Sequence, residues 1–211
     1  VGGGALFFHL RANFCIEKSL LMDANRDLIL AYKTIQQKPH ELIVSLKEIE
    51  EEYLTLDDDK REEFYYRIRD LYNDEMHTFD YFGDDQRWVT RTTQLVFLNK
   101  TCYNGLFRLN KQGYFNVPHG SYKNPTICDA TNIFAVNKAL EGVDIVYGDF
   151  EDSRPYVCSD SLVYFDPPYR PLSRTASFTS YNQDDFDDDD QIRLGRYFRQ
   201  LDSIGAHLLL S

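Results

Sequence analysis

The stretch from Leu162 to Tyr169, LVYFDPPY, does more than any other to limit what this chain can fold into. Leu162, Val163, Tyr164 and Phe165 form a short apolar run whose valine and aromatic content suits a strand buried on both faces better than a turn of helix. Pro167 and Pro168 then block further ladder pairing or helix, because neither offers an N–H and each fixes φ. Asp166 is thereby pinned at the carboxyl end of a core strand, the edge at which open α/β sheets bind ligands. Its carboxylate and the following carbonyl make two acceptors side by side, and Tyr169 adds a flat apolar face. Two acceptors and a stacking ring suit an exocyclic amino group on a planar base. The same string also describes a strand that ends in an ordinary proline turn beside a core tyrosine, so the rest of the chain has to decide.

A chain of 211 residues, 43% hydrophobic and 27% charged, has the make-up of a globular protein with one good core or a core plus an insertion. No apolar run approaches bilayer-spanning length and no secretory leader opens the chain, so a cytoplasmic setting away from membranes is expected. Cys15, Cys102, Cys128 and Cys158 are scattered, as are the histidines, which predicts reduced packing cysteines and no metal. The net charge of −11 argues at first against a polyanionic partner, but its distribution argues the other way. Acid is concentrated from Glu48 to Asp85 and from Asp184 to Asp190. Between Gln86 and Asn124 there is none, and this window carries Arg87, Arg91, Lys100, Arg108, Lys111 and Lys123.

The chain opens on Gly2-Gly3-Gly4, a turn that leads straight into an apolar helix and lets a ligand approach the backbone closely. It is neither a P-loop nor a G-x-G-x-x-G fingerprint, since Phe7 stands where a third small residue belongs, and alone it reads equally as a flexible loop. Ser19 to Met22 is a strand ending in Asp23, and a terminal acid about 20 residues after a glycine turn is placed to meet a ribose hydroxyl pair. Asp23 also fits a plain helix cap. Helices follow over 25–35, from Pro39 through Ile49, over 61–71 and over 91–100. Cys102 to Asn124 then changes character, with turn signals at Asn104-Gly105 and Gln112-Gly113 and strand-like alternation over 113–117. A hairpin or extended loop that is basic, aromatic and free of acid suits contact with phosphates and bases. A further helix over 131–140 precedes a strand over 143–147 that ends in Gly148-Asp149-Phe150. Asp23, Asp149 and Asp166 are thus three strand-terminal carboxylates, expected on one edge of a parallel sheet around one ligand. The Ser/Thr-rich segment 172–182 is placed to close over a site, and a helix over 184–203 leads to a last buried strand at 207–210.

VGGGALFF, MDAN, NGLFRLN, FNVPHGSYKNP, YGDF and YFDPPY, in that order along essentially the whole chain, together resemble the Dam-like, α-group DNA adenine-N6 methyltransferases, nearest those of the DpnII restriction system. The resemblance implies an α/β, Rossmann-like fold that binds S-adenosylmethionine, with an inserted target-recognition domain made of helices plus a β-hairpin. On that reading residues 1–50 form the cofactor-binding part, 51–140 the DNA-binding insertion and 141–211 the catalytic part. It further implies methyl transfer from S-adenosylmethionine to adenine N6 in double-stranded DNA, within GATC, in a restriction-modification setting; the oligomeric state is left open, with a monomer the default expectation. Asp166, Pro167, Pro168 and Tyr169 are the implied catalytic residues. Gly2, Gly3 and Gly4 would line the methionine side of the cofactor, Asp23 its ribose, and Asp149 and Phe150 its adenine, with Asp166 beside it. Tyr103 and Asn104 would surround a flipped base, while Leu106, Arg108, Pro118 and Tyr122 would meet its neighbours, Arg108 by a bidentate contact to guanine. Accepting both N6 hydrogens at Asp166 and the Pro167 carbonyl would localise the nitrogen lone pair and aim it at the methyl.

Relatives of this kind carry a first strand and a Lys-x-x-Gly-Gly-Lys-type segment before the glycine turn, and an Asn-Ser pair and more strands after the last one. The resemblance therefore implies a fragment whose sheet has its central strand outside the sequence, between the strands ending at Asp23 and Asp166, and whose activity alone is in question. The competing expectations are a DNA-binding remnant without catalysis and methylation of cytosine N4, another exocyclic amine.

Overall fold

A computed structural model describes residues 1–83, 85–167 and 186–211. Pro168, Tyr169 and the segment 172–182 lie outside the described residues. The elements in order are α1 (Ala5–Asn13), β1 (Ser19–Asp23), α2 (Arg26–Gln37), α3 (Pro39–Leu54), α4 (Asp58–Asp74), α5 (Asp85–Thr101), α6 (Ala130–Ala139), β2 (Val143–Tyr147), β3 (Leu162–Phe165), α7 (Asp188–Ser203) and β4 (His207–Leu210). Short 3-10 turns at Tyr103–Gly105 and Phe150–Tyr156 complete the set.

α2, α4, α6 and α7 start where the sequence supplies side-chain partners for the first free amides, whereas α1 and α3 have no side-chain cap. The Asn25 side chain accepts from the Asp27 and Leu28 amides at the head of α2, Asp57 accepts from Lys60 N at α4, and Asp187 builds a capping box on α7. A cap of this kind contributes about 1 kcal/mol. The acids at 188–190 lie in the first turn of α7, where the helix dipole favours negative charge.

β1 pairs with β2 and β3 with β4, both parallel, as two separate two-stranded sheets. β1 and β3 share no hydrogen bonds, so the strands ending at Asp23 and Asp166 are not direct neighbours, as the resemblance implies. The strand burial departs from expectation: Leu162 is 56% and Tyr164 40% exposed, and only Phe165 of β3 is buried. The reason is that α7 covers one face only. Phe165 and Val163 pack with Leu194, Tyr197 and Leu201, whereas Leu162 and Tyr164 alternate to the other face. β4 behaves likewise, with Leu209 and Leu210 about half exposed.

Three apolar clusters organise the described residues. The largest joins α3, α4 and α5 through Leu42, Leu46, Tyr53, Tyr65, Phe97 and Leu98, and it takes in Phe115 and Val117 from the segment after α5. A second packs β1 and β2 on α2, and the third packs β3 and β4 on α7. α2 belongs to both of the first two clusters, with Ala31 on the helical side and Ile29 and Tyr32 on the sheet side. Of the cysteines expected to pack, Cys102 is buried and Cys128 half-buried, while Cys15 and Cys158 are exposed; none of the four is disulfide-bonded.

Candidate active site

The glycine turn folds back onto the end of β1. Asp23 Oδ2 accepts from the Val1 nitrogen at 2.7 Å and from Gly2 N at 3.3 Å, and its Oδ1 accepts from Asn25 N at 2.8 Å. Asp23 is therefore not the cap of α2, which is Asn25; it ties the glycine turn to the end of the strand. Tyr32 of α2 donates its hydroxyl to Gly2 O at 3.0 Å, and burial, helped by Asp23, pushes its pKa up to about 12. Gly2 and Gly4 have φ of 49° and 69°, in the left-handed region that glycine tolerates. A Cβ on Gly4 would come within 2.7 Å of the Tyr32 hydroxyl, whereas one on Gly2 or Gly3 would meet nothing within 4 Å.

Parallel pairing of β1 with β2 sets Asp23 opposite Tyr147, and Gly148 N donates to Asp23 O at 3.2 Å, so Asp149 follows on the same carboxyl edge. The Asp149 carboxylate accepts from its own 3-10 turn at Glu151 N, 3.0 Å away. It is also gripped by Arg193 of α7, with Nη1 to Oδ1 at 2.8 Å and Nη2 to Oδ2 at 2.9 Å. Arg193 was not singled out by the sequence, which placed it only within the helix over 184–203. The Arg193 pKa is raised by the hydrogen bonds it donates to Asp149 and then Asp190, so the guanidinium stays charged.

Asp166 stands at the end of β3, exposed, with Oδ1 accepting from the Ser211 hydroxyl at 2.8 Å. Register brings Ser211 there, because Phe165 pairs with Leu210 and Ser211 N donates to Phe165 O. Pro167 is half-buried beside it. Asp23, Asp149 and Asp166 all line one cavity of about 3520 Å³, together with Gly2, Gly3 and Phe150. Small-molecule sites run to about 300–1,000 Å³, so the space is larger than one such ligand. It takes in the region between the two strand pairs, with Ser19–Asp23 on one wall and Leu162–Pro167 on the other.

The segment after α5 is a hairpin held by isolated antiparallel bridges, Cys102 to His119 and Leu109 to Phe115, instead of a continuous ladder. Its alternation is real all the same: Gly113, Phe115 and Val117 are buried, and Tyr114 and Asn116 are half-buried. α4 supplies what a second strand would have given. The Asn73 carboxamide pairs with both backbone groups of Phe115 at 2.8 and 3.0 Å, and Tyr65 donates to Val117 O at 2.8 Å. Tyr103, Asn104, Leu106, Pro118 and Tyr122 are exposed along this segment, with Asn104 in the left-handed region at φ 55°. Arg108 is half-buried, and its Nε donates to the Asn116 carboxamide at 2.7 Å, which fixes the orientation of the guanidinium. Leu106, Phe107 and Lys100 reach the cavity wall.

Two of the basic residues counted in the acid-free window are committed to acids of the fold. Arg91 is 1% exposed and grips Asp27 with Nε to Oδ1 at 2.6 Å and Nη2 to Oδ2 at 2.9 Å. Tyr72 and Tyr81 donate to the same carboxylate at 2.7 and 2.9 Å. Burial would lower the Arg91 pKa, but its bonds to Asp27 outweigh burial and raise it. Arg87 pairs with Glu75 at 3.0 Å. Lys100, Lys111 and Lys123 are exposed. Among the described residues no cluster of His, Cys, Asp and Glu could hold a metal, and no helix is long and apolar enough to cross a membrane.

The glycine turn, the strand-end acids and part of the aromatic hairpin open on one cavity. The chain belongs to the D12 class of N6 adenine-specific DNA methyltransferases, whose family model matches residues 1–211. It is 50% identical over 211 residues to the type II methyltransferase M.MjaIII of Methanocaldococcus jannaschii, covering 100% of this chain and 71% of that protein. It is 36% identical over 213 residues to the type II methyltransferase M1.LlaDCHI of Lactococcus lactis subsp. cremoris, covering 100% of the chain and 69% of the relative. Against a DNA adenine methylase of Salmonella typhi the identity is 31% over 211 residues, again covering 100% of the chain and 69% of the relative. The enzyme class is therefore that of adenine-specific DNA methyltransferases, which generally draw their methyl group from S-adenosylmethionine.

Proposed function

We propose that the protein transfers the methyl group of S-adenosylmethionine to adenine N6 within GATC in double-stranded DNA, on a nucleotide turned out of the helix, as part of a restriction-modification pair. The observation that carries this reading is the one cavity shared by the glycine turn, Asp23, Asp149 and Asp166, with Leu106 and Phe107 of the hairpin on its wall.

The residues present fit the cofactor. Backbone open above Gly2 and Gly3 suits close approach of its methionine end, Asp23 beside that turn suits a ribose diol, and Asp149 with the Phe150 ring suits an adenine. When bound, the cofactor supplies an electrophilic methyl group on a sulfonium centre. The protein's task is then positioning. Ser211 occupies Asp166 Oδ1, which supports Oδ2 and the Pro167 carbonyl as the two acceptors for the N6 hydrogens. Holding both hydrogens concentrates the nitrogen lone pair and directs it along one line, an effect of orientation and electrostatics. No strong base is required, since the proton can leave after transfer.

By motif, Tyr169 next to Pro168 would stack on the extruded adenine, offsetting part of the few kcal/mol lost on unstacking it. Tyr103 and Asn104 would line the space it enters, with Leu106, Pro118 and Tyr122 against flanking bases. Arg108 would read guanine through Nη1 and the second hydrogen of Nη2, since Nε and Nη2 already donate to Asn116.

Labelled methyl transfer by the full-length protein to a GATC duplex and to a scrambled one, with Asp166→Ala beside it, tests the reading. Transfer to the GATC duplex alone, abolished in the variant, is expected. Equal transfer to both duplexes would sink the recognition role of Arg108 and its hairpin, and N4-methylcytosine in the nucleoside digest would sink the choice of base.

A further inference from the structure

Arg193 is more heavily engaged than a partly exposed helix arginine ordinarily is. Besides its two bonds to Asp149, Nη1 donates to Glu151 Oε2 at 3.0 Å and Nη2 to Asp190 Oδ1 at 2.9 Å. Its Cζ also lies 4.4 Å from the Phe150 ring centroid. An isolated exposed ion pair contributes about 0–1 kcal/mol and fixes little. A planar fork bonded to both oxygens of one carboxylate and stacked on the adjoining ring fixes the orientation of both groups. Those groups are Asp149 and Phe150, the acid and the ring at the end of β2, and Arg193 lines the same cavity.

The lone pairs of Asp149 indicate what this orientation is for. Oδ1 accepts from Arg193 and from Glu151 N, the side chain also closes a capping box with the Asp152 backbone, and Oδ2 accepts from Arg193. Each carboxylate oxygen has about two acceptor positions, so among the described residues one remains on Oδ2. We infer that Arg193 is a positioning residue that holds Asp149 with a single acceptor position presented to the cavity, making this subsite select a purine with a 6-amino group over one with a 6-oxo group. An amino N–H completes the carboxylate. A 6-oxo group would set an acceptor against an acceptor and leave the position unfilled. This inference rests on the proposed reading of Asp149 and Phe150 as the adenine end of the cofactor site.

The test is equilibrium binding, with no turnover involved. S-adenosylhomocysteine and S-inosylhomocysteine, which differ at purine position 6, are titrated calorimetrically into the full-length protein and its Arg193→Ala and Arg193→Lys variants. Thermal melts without ligand check each fold. A hydrogen bond to a charged group corresponds to about ten- to hundredfold in affinity, so the unaltered protein should prefer the adenosyl ligand by about that ratio. Arg193→Ala should bring the ratio close to one, mainly by weakening the adenosyl ligand. Arg193→Lys keeps the charge but loses the fork, and should fall between. An unchanged ratio in a folded Arg193→Ala would overturn the inference while leaving Asp149 as the adenine acid. Tighter adenosyl binding in that variant would also overturn it, since the guanidinium would then be a competitor for the Phe150 face. Equal binding of both ligands by the unaltered protein would sink the reading of Asp149 itself, and the inference with it.

Discussion

Gly4 shows how one residue can be fixed by two constraints at once. Its φ of 69° disfavours any L side chain, and an added methyl group would lie 2.7 Å from the Tyr32 hydroxyl and 2.9 Å from the Phe8 ring. The left-handed backbone alone costs about 1–2 kcal/mol, and overpacking commonly adds about 1–3 kcal/mol. Gly4→Ala should therefore lose about 2 kcal/mol or more in denaturant unfolding, with weaker cofactor binding as Tyr32 is pushed from Gly2. Gly3→Ala is the informative contrast, because its Cβ enters open space and its backbone is not left-handed. That variant should melt like the parent, so any loss of cofactor affinity reports ligand in the space above Gly3. At this scale the sequence named Asp23, Asp149 and Asp166 through their places after apolar runs. It was silent on Arg193, Ser211 and Asp27, each of which acquires its partner across 44, 45 and 64 residues respectively. Neither spacing nor periodicity carries information at such separations.

Among elements, α2 and α5 are joined by the buried Asp27–Arg91 pair, and this sets a test that surface pairs do not offer. Both side chains are nearly sealed, 5% and 1% exposed, and the carboxylate is fully occupied by Arg91, Tyr72 and Tyr81. Removing one partner leaves an uncompensated buried charge, which costs about 3–5 kcal/mol. Asp27→Leu and Arg91→Met should each unfold the protein at much lower denaturant, while the double variant should recover a large part of the loss. A double variant as unstable as the sum of the two single ones would show that the pair does not act as a unit. The acid-free window counted Arg91 among its cations, but charge counted along a sequence does not tell which arginines face inward. The same limit applies to β3: a continuous apolar run identifies a strand but not whether both of its faces are covered. The hairpin was legible in outline. Its alternation was correct, whereas its dependence on Asn73 and Tyr65 of α4 could not be read from a local pattern.

For the molecule as a whole, a net charge of −11 has to be reconciled with a polyanionic substrate, and the arrangement of the cations decides how. Acid lies on α3 and α4 and at the head of α7, while α5 and the hairpin after it have none between Gln86 and Asn124. Within that window Arg91 is buried and Arg87 is paired with Glu75. On the proposed reading, phosphate contact by this region rests on the exposed Lys100, Lys111 and Lys123, and base contact on Arg108, which Asn116 holds. Each phosphate neutralised on duplex DNA contributes about 0.9 to the slope of log affinity against log salt. Replacing the three lysines by glutamine should lower that slope by about 2.7 and weaken GATC and scrambled duplexes alike, because phosphate contacts carry no sequence information. Arg87→Gln should leave the slope unchanged. Arg108→Gln should instead narrow the preference for GATC at low salt, with a slope close to the parent's. Equilibrium binding at four or five salt concentrations separates these outcomes. A triple lysine variant with the parental slope would place the DNA-binding surface somewhere other than α5 and its hairpin.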